Sequence, residues 1–372
     1  MGQLITPTAK VPHAPAKIVD ETRRELLRAL FGPEIPDNDV HCRVAAWTNA
    51  AALNTLRAMR SDLRIIDAHQ QERSRATLPL SPADMYELVS GRADQGRSKS
   101  TIDRLVASAV RIHALAGLPA CIDDMVKWKL KQIRRADHRS VRQARGLRLK
   151  GDTLDVVDGD SVGPSLLGLL ASIPGDPQGL RDRALLSTGY DAGMRRSELV
   201  RVAVCDIEIL ANGEASLFIP RSKTDQVGEG ARAWLSRRAV DAVLAWTSAA
   251  EISEGFVFRS LSYRVGAAGM LSEGSVPRIL KKRLKAYLDD LIAVGSITAD
   301  DRDEIIRDSS GHSLRVGCNQ DLFAAGLDIG AIMQGLRWTS PKQPLAYARH
   351  LAPATSKLAN LMRRVNTFGE CS

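Results

Sequence analysis

The residues of this sequence that could do chemistry are few and widely spaced. His312 and Arg315, in "GHSLRVG", stand three apart at the start of a helical run. That spacing puts them on one face, roughly 4.5 Å apart along the axis, at the helix end whose unpaired amides favour anions. An imidazole that titrates near neutrality and a guanidinium that keeps its charge make an anion clamp. "GMRRSELV" sets Arg195 and Glu198 on a short helix after a glycine break, and "RSKTDQ" sets Lys223 on a loop beside two alternating runs. Trp338 lies 23 residues after Arg315, and Tyr347 nine further on. An isolated His-x-x-Arg is an ordinary helix start with a surface arginine; the company these residues keep at fixed spacing is what matters.

The elements that must hold them are legible in apolar periodicity. Residues 20–31, 41–70, 82–91, 99–116 and 121–137 carry apolar side chains at helical spacing, as in the stripe Leu53, Leu56, Met59, Leu63 and Ile66. Pro- and Gly-bearing stops such as "FGPEIPDND" and "AGLPAC" separate them, and Ser81 followed by Pro82 is a helix-start signal. These runs predict an all-helical domain over 19–146 behind a loose, proline-bearing tail over 1–18. "LRLKGDTLDVVDGDSVG" turns from basic to acidic and is rich in Gly and Asp, so the interdomain linker is expected at 147–163. The second domain, 164–372, opens with a helix. "CDIEIL" and "ASLFIP", joined by "ANGE", then read as a hairpin turning at Asn212 and Gly213. A third strand is expected in "RSKTDQVGEGARAWL", and helices dominate from 236 onward. The fold class expected is mainly α, with one small antiparallel β-sheet in the second domain.

Composition excludes several classes. At 372 residues, 44% hydrophobic and 26% charged, the chain has the make-up of a two-domain globular protein. No apolar run approaches the roughly 18 residues of a membrane span, and a cytoplasmic location with no membrane partner is expected. The cysteines, Cys42, Cys121, Cys205, Cys318 and Cys371, are odd in number and never paired as CxxC, against both a disulfide framework and a zinc site. Charge is uneven: residues 1–150 hold 26 Lys and Arg against 16 Asp and Glu, while the rest holds 26 against 27. The excess peaks over 127–150, where ten basic residues face only Asp137. A run of one sign points to a polyanion, nucleic acid above all. Lys127, Lys129, Lys131, Arg134, Arg135, Arg139 and Arg142 are the candidate contacts to a DNA backbone.

Taken in order, Arg195 with Glu198, Lys223 on a hairpin loop, His312-x-x-Arg315, Trp338 and Tyr347 resemble the signature of the tyrosine recombinase (phage integrase) family, and its Cre-like branch in particular. The resemblance is strong over 180–200 and 310–365, moderate over the helical N-terminal part and weak over 225–300. It implies a helical core-binding domain and a catalytic domain that cleaves and rejoins DNA at inverted-repeat sites through a 3′-phosphotyrosyl intermediate. It also implies a homo-oligomer, a dimer on one site and a tetramer in synapsis. The residue types suit that chemistry. A phenol is only about 0.1% ionised at neutral pH, so Tyr347 as nucleophile needs help. Arg195 and Arg315 can offset the charge growing on a pentavalent phosphorus. His312 can exchange a proton or donate to the phosphate, and Trp338 is a donor only. Lys223 is the best general acid for the departing 5′-oxygen, and Glu198 orients Arg195. No phosphate-loop motif and no carboxylate cluster is present, so neither ATP nor a metal or other cofactor is expected. A type IB topoisomerase-like activity, or a DNA-binding protein without turnover, would use the same fold. Tyr190, Tyr86, Tyr263 and Tyr287 are expected in packing roles and His350 on the surface. The apolar stripe of "TSKLANLMRRV", with Leu358, Leu361, Met362 and Val365, is expected to dock on a neighbouring subunit.

Overall fold

The structure is a computed structural model that describes Glu21, Arg24, residues 39–137, 143–153, 155–220, 230–261 and 269–349, Leu351 and Met362. The chain divides into two compact units, Ala9–Val141 and Arg142–Ser372. Among the described residues no helix is long and apolar enough to cross a membrane.

The first unit is helical: α1 (Asp39–Ala50), α2 (Leu53–Gln71), α3 (Pro82–Asp94), α4 (Lys99–Ala116) and α5 (Asp124–Ala136). Side-chain caps set their starts. Ser81 closes a capping box with Asp84 ahead of Pro82, Ser98 accepts from the Thr101 amide, and Asp123 accepts from the Val126 amide. Gly117, at φ +67°, ends α4 in the left-handed conformation. The core gathers Ile66, Met85, Val89, Ile102, Leu105 and Val126, each at most 2% exposed. Buried Asp62 joins α2 to α4 through Ser108 (2.7 Å) and Arg104 (2.9 Å).

Two expectations change here. The run 41–70 is two helices, broken at Ala51 and Ala52, where Ala52 is extended. No local breaker marks the spot, and alanine propensity favours continuation; packing of α1 and α2 against α4 overrides it. Helical spacing over 99–116 puts Val110 in one apolar stripe with Ile102, Leu105, Val106 and Ile112, yet Val110 is 41% exposed. The 20–31 helix lies outside the described residues except at Glu21 and Arg24.

The second unit runs α6 (Leu166–Ser172), α7 (Pro177–Asp191), α8 (Arg196–Leu199), a 3-10 turn (Val204–Asp206), β1 (Ile207–Ile209), β2 (Ala215–Ile219), β3 (Ala231–Leu235), α9 (Arg237–Ala249), α10 (Ser275–Ala293), α11 (Ala299–Asp308), α12 (Ser313–Ala324), α13 (Ile329–Gly335) and α14 (Lys342–Tyr347). The strands form one antiparallel sheet in the order β1-β2-β3, with Ile207 opposite Leu217 and Leu217 opposite Ala233. The turn falls where expected: Gly213 has φ +81°, and Asn212 Oδ1 accepts from the Glu214 amide. Ala215, Leu217 and Ile219 point inward while Phe218 and Trp234 are exposed, the alternation of a half-buried sheet.

Helix α7 explains the architecture. It is buried along most of its length, and consecutive residues feed two cores: Leu185 enters the one under the sheet and α9, Leu186 the one formed with α6, α10 and α12. Its one fully buried acid, Asp182, accepts from Arg181 (2.7 Å) and Arg283 (2.8 Å). The expected linker at 147–163 begins inside this unit. Leu147 is in the second core, and Arg148 is 4% exposed against Asp321 at 2.7 Å. The buried Asp321 carboxylate also accepts from the Leu149 amide and the Tyr190 hydroxyl. Tyr190 and Tyr287 are buried as expected, Tyr190 with its phenol titration pushed well up by burial and by Asp321. Of the four cysteines described, all are free, Cys121 and Cys318 buried, Cys42 and Cys205 exposed.

Candidate active site

Four of the described candidates, Arg195, His312, Trp338 and Tyr347, stand at or just past the end of an element. Arg195 is the N-cap of α8, reached through a turn in which Gly193 takes φ +51°. Its guanidinium donates to Glu198 Oε1 at 2.6 Å, and its backbone amide donates to Glu198 Oε2 at 3.0 Å. Glu198 is 3% exposed in its side chain, so its charge is carried by these donors.

His312 caps α12 rather than lying within it, and its amide donates to Ser310 Oγ at 3.1 Å. Partial desolvation first, then the positive charges of Arg196, Arg315 and Arg195, hold its imidazole below the usual histidine range. Arg315, one turn on, is only 2% exposed. It donates to the Gly193 carbonyl and, at 2.7 Å, to the Leu336 carbonyl. Two of its five N–H groups are thereby committed. Burial, then Arg195 and Arg337, lower its titration to about 10, which leaves it fully charged at neutral pH.

Trp338 follows α13 and lies against Arg315, whose guanidinium carbon is 4.3 Å from the ring centroid. Tyr347 is the last residue of α14, with its ring edge-on to Trp338 at 5.8 Å between centroids. The Tyr347 carbonyl accepts from Gln143 (3.2 Å) and Gln320 (3.1 Å), and Asn319 donates to the Pro344 carbonyl at 3.1 Å. These contacts tie the nucleophile candidate's short helix to α12, the helix that carries Arg315. Tyr347 and Arg195 both act electrostatically on Arg315, and both arginines act on His312. Six of the seven expected side chains therefore gather in one place: Arg195, Glu198, His312, Arg315, Trp338 and Tyr347. Lys223 belongs to the segment joining β2 to β3 and lies outside the described residues, as do His350, Tyr263 and the 355–365 stripe apart from Met362. Arg196 lies 4.0 Å from Glu273, and its charge still acts on His312.

Sequence reasoning missed Arg337. Its side chain is 7% exposed, donates to the Ala192 carbonyl at 3.0 Å and approaches Glu198 Oε2 at 3.5 Å. Only its place between Leu336 and Trp338 hinted at it. The arrangement makes a compact cationic pocket: three guanidiniums lie around one carboxylate, with an imidazole and a phenol at the rim. Such a pocket suits a doubly anionic phosphorus centre better than any neutral substrate. Among the described residues no group of His, Cys, Asp and Glu is placed to hold a metal ion.

Residues 164–353, just over half of the chain, match the phage integrase family. The chain belongs to that family. It is 28% identical over 309 residues to the integrase/recombinase xerD homolog of Selenomonas ruminantium, covering 79% of this chain and 81% of that protein. Across nearly its whole length it is similar to the recombinase cre of Escherichia phage P1, 23% identical over 363 residues, 97% of this chain and 99% of that one. The fold is that of the XerH site-specific recombinase in its complex with palindromic difH substrate (TM-score 0.58, 13% identity, 92% of this chain and 96% of that one). The Tn1549 transposon integrase bound to transposon right end DNA shares it too (TM-score 0.56, 13% identity, 87% and 94%).

The candidate backbone contacts on α5 divide. Lys127, Lys131, Arg134 and Arg135 are exposed and Lys129 is half-buried, while Arg139 and Arg142 lie outside the described residues. Lys127 pairs with Asp124 (2.9 Å), Arg134 with Asp103 (3.1 Å), and Lys129 sits over the Tyr86 ring (5.8 Å). Further along, Arg145, Arg148 and Lys150 bind Asp152, Asp321 and the carbonyls of Val157 and Gly159. The basic run read from the sequence is thus two groups: in the later one Arg145 pairs with nearby Asp152, Arg148 with Asp321 far along the chain, and Lys150 binds neutral carbonyls.

Proposed function

We propose that this phage integrase family member is a site-specific DNA recombinase with Tyr347 as its nucleophile. The Tyr347 oxygen attacks the scissile phosphorus, the bond to the 5′-oxygen breaks, and that oxygen leaves with a proton, for which Lys223 is the donor. The 3′-phosphotyrosyl ester keeps the energy of the broken phosphodiester. A 5′-hydroxyl from another strand then attacks it, returns the proton to the tyrosine and reseals the strand without ATP. Arg195 and Arg315 bind the nonbridging oxygens, His312 exchanges the nucleophile's proton, and Trp338 holds the Arg315 plane by stacking. The single observation that carries this reading is the convergence of Arg315, Trp338 and Tyr347 on the Arg195–Glu198 pair.

The first unit, with Lys131 and Arg135 of α5, would grip duplex DNA, and a dimer on each inverted-repeat site with a tetramer in synapsis would exchange strands. In the test, bound sites are selected from random duplexes with the Tyr347→Phe variant, and a nicked duplex of the recovered sequence is offered to the native chain. A covalent protein–DNA adduct that survives denaturation, and is absent in Tyr347→Phe while duplex binding persists, is expected. An adduct that persists in Tyr347→Phe, or none from the native chain, would overturn the reading. Two such sites on one supercoiled plasmid then separate recombination from relaxation alone.

A further inference from the structure

We propose that Arg337 is a positioning residue of this site, acting through Glu198 to set the Arg195 guanidinium. The inference rests on the phosphodiester-cleaving reading above and adds a residue to it. Three features of Arg337 are individually unfavourable. It is a non-glycine residue in the left-handed region, at φ +55°. Its side chain is 7% exposed, and its Nε is buried with no hydrogen-bond partner. Burial holds its titration below the usual arginine range. A strained, desolvated and incompletely satisfied cation beside a reactive centre is costly, and such cost is tolerated where geometry is what the site needs.

The geometry shows what is gained. Arg337 sits on the turn after α13, and it reaches the Ala192 carbonyl on the turn that ends at Arg195 and Glu198 on α8. Arg315 bonds both turns as well, through the Gly193 and Leu336 carbonyls. The two arginines thus cross-brace the turn carrying Arg195 to the turn carrying Trp338. A buried carboxylate facing a single guanidinium closes on it as a two-pronged pair, which would turn the Arg195 fork inward and neutralise it. Here Glu198 Oε2 already receives the Arg195 amide and faces Arg337, which leaves Oε1 alone for the Arg195 side chain. The remaining Arg195 donors stay available to a phosphate, and the pocket keeps a positive excess.

The test is the first-order rate of adduct formation at saturating protein on the nicked, selected duplex, measured beside duplex affinity. Arg337→Gly adopts the left-handed backbone without strain, so it removes the guanidinium while favouring folding. Its adduct rate should fall about 10- to 100-fold, the range a small misplacement of a reacting group produces, with affinity little changed. In a Glu198→Gln background the same substitution should cost no more than about twofold further, because the two residues act as one unit. Arg337→Lys, which keeps the charge but not the two-pronged reach, should recover part of the rate. A native rate in Arg337→Gly overturns the proposal, as does an undiminished loss in the Glu198→Gln background or a loss that only follows affinity. If Arg337→Gly fails to fold, a native rate in Arg337→Lys overturns it equally. Absence of any Tyr347-dependent adduct from the native chain takes down the recombinase reading, and this one with it; an adduct with no Arg337 dependence removes this one alone.

Discussion

Replacing Gly193 by alanine probes the turn that carries Arg195 more sharply than removing any charged residue. At φ +51° an alanine is in the left-handed region, which costs roughly 1–2 kcal/mol. Its Cβ would also stand 2.3 Å from Leu336 Cδ2, and Leu336 is 2% exposed in the core beside α12. Overpacking of that kind adds about 1–3 kcal/mol, so the second unit should lose about 2–5 kcal/mol in urea unfolding. The displacement also has a chemical consequence. The Gly193 and Leu336 carbonyls are the two acceptors that hold Arg315, so moving Leu336 moves the guanidinium. Adduct formation on the nicked duplex should fall about 100-fold, the effect of an ångström-scale misplacement. Gly213→Ala is the control. Its φ is +81°, but a Cβ there meets only the Arg237 side chain at 3.4 Å. It should show the backbone cost alone and a native cleavage rate. Equal stability losses and equal rates in the two variants would refute the reasoning.

Three further outcomes are expected. The His312 imidazole, followed by its NMR titration in the free protein, should show a midpoint below 6.5; because the folded value is depressed, its stabilising share is complete above pH 6.5 and lost as pH falls through the folded midpoint, so His312→Gln should flatten part of the fall in melting temperature between pH 7 and pH 5. Asp321→Asn leaves Arg148 buried without its counter-charge and should cost about 3–5 kcal/mol in urea unfolding, whereas Glu208→Gln, opposite exposed Arg232, should cost under about 1 kcal/mol. Alanine at Lys131 and Arg135 should reduce the salt slope of duplex binding by up to about 0.9 for each phosphate that is no longer neutralised; an unchanged slope removes α5 from the DNA-binding surface.

What was legible in the sequence was what local physics decides. Helix α4 fills its expected span because Ser98 caps one end and Gly117 closes the other, and the β1–β2 turn follows from Asn212 and Gly213. The break at Ala51 and Ala52 was not legible, since those residues favour helix and only packing on α4 decides against it. The same holds for charge. Counting signs along 127–150 could not show that Arg148 faces Asp321, because the partner is 173 residues away. At the site, the resemblance carried by residue type and order put forward Arg195, Glu198, His312, Arg315, Trp338 and Tyr347, which the fold brings together. Type and order could not pick out Arg337, whose role depends on a left-handed backbone that the sequence "QGLRW" does not announce.

The placement of the site at element ends follows from what the two kinds of residue must do. A side chain in the middle of α7 or α12 is aimed by the helix and surrounded by core, as Asp182 and Asn319 are. Arg195 and His312 are N-caps, Trp338 follows a left-handed turn and Tyr347 ends its helix, so their backbones are free to aim them at one point. Free ends are also loose ends. The looseness is taken up by backbone carbonyls: those of residues 192, 193 and 336 bind guanidiniums, and those of 344 and 347 bind amide side chains from α12 and Gln143. Arginine suits this work because one planar fork can hold a carbonyl on one edge and offer a phosphate the other. Charge then sets the resting state. Three guanidiniums against one carboxylate, those of Arg315 and Arg337 buried and that of Arg195 partly exposed, repel one another, and an anionic phosphorus centre relieves that repulsion most when its negative charge is greatest, in the pentavalent transition state.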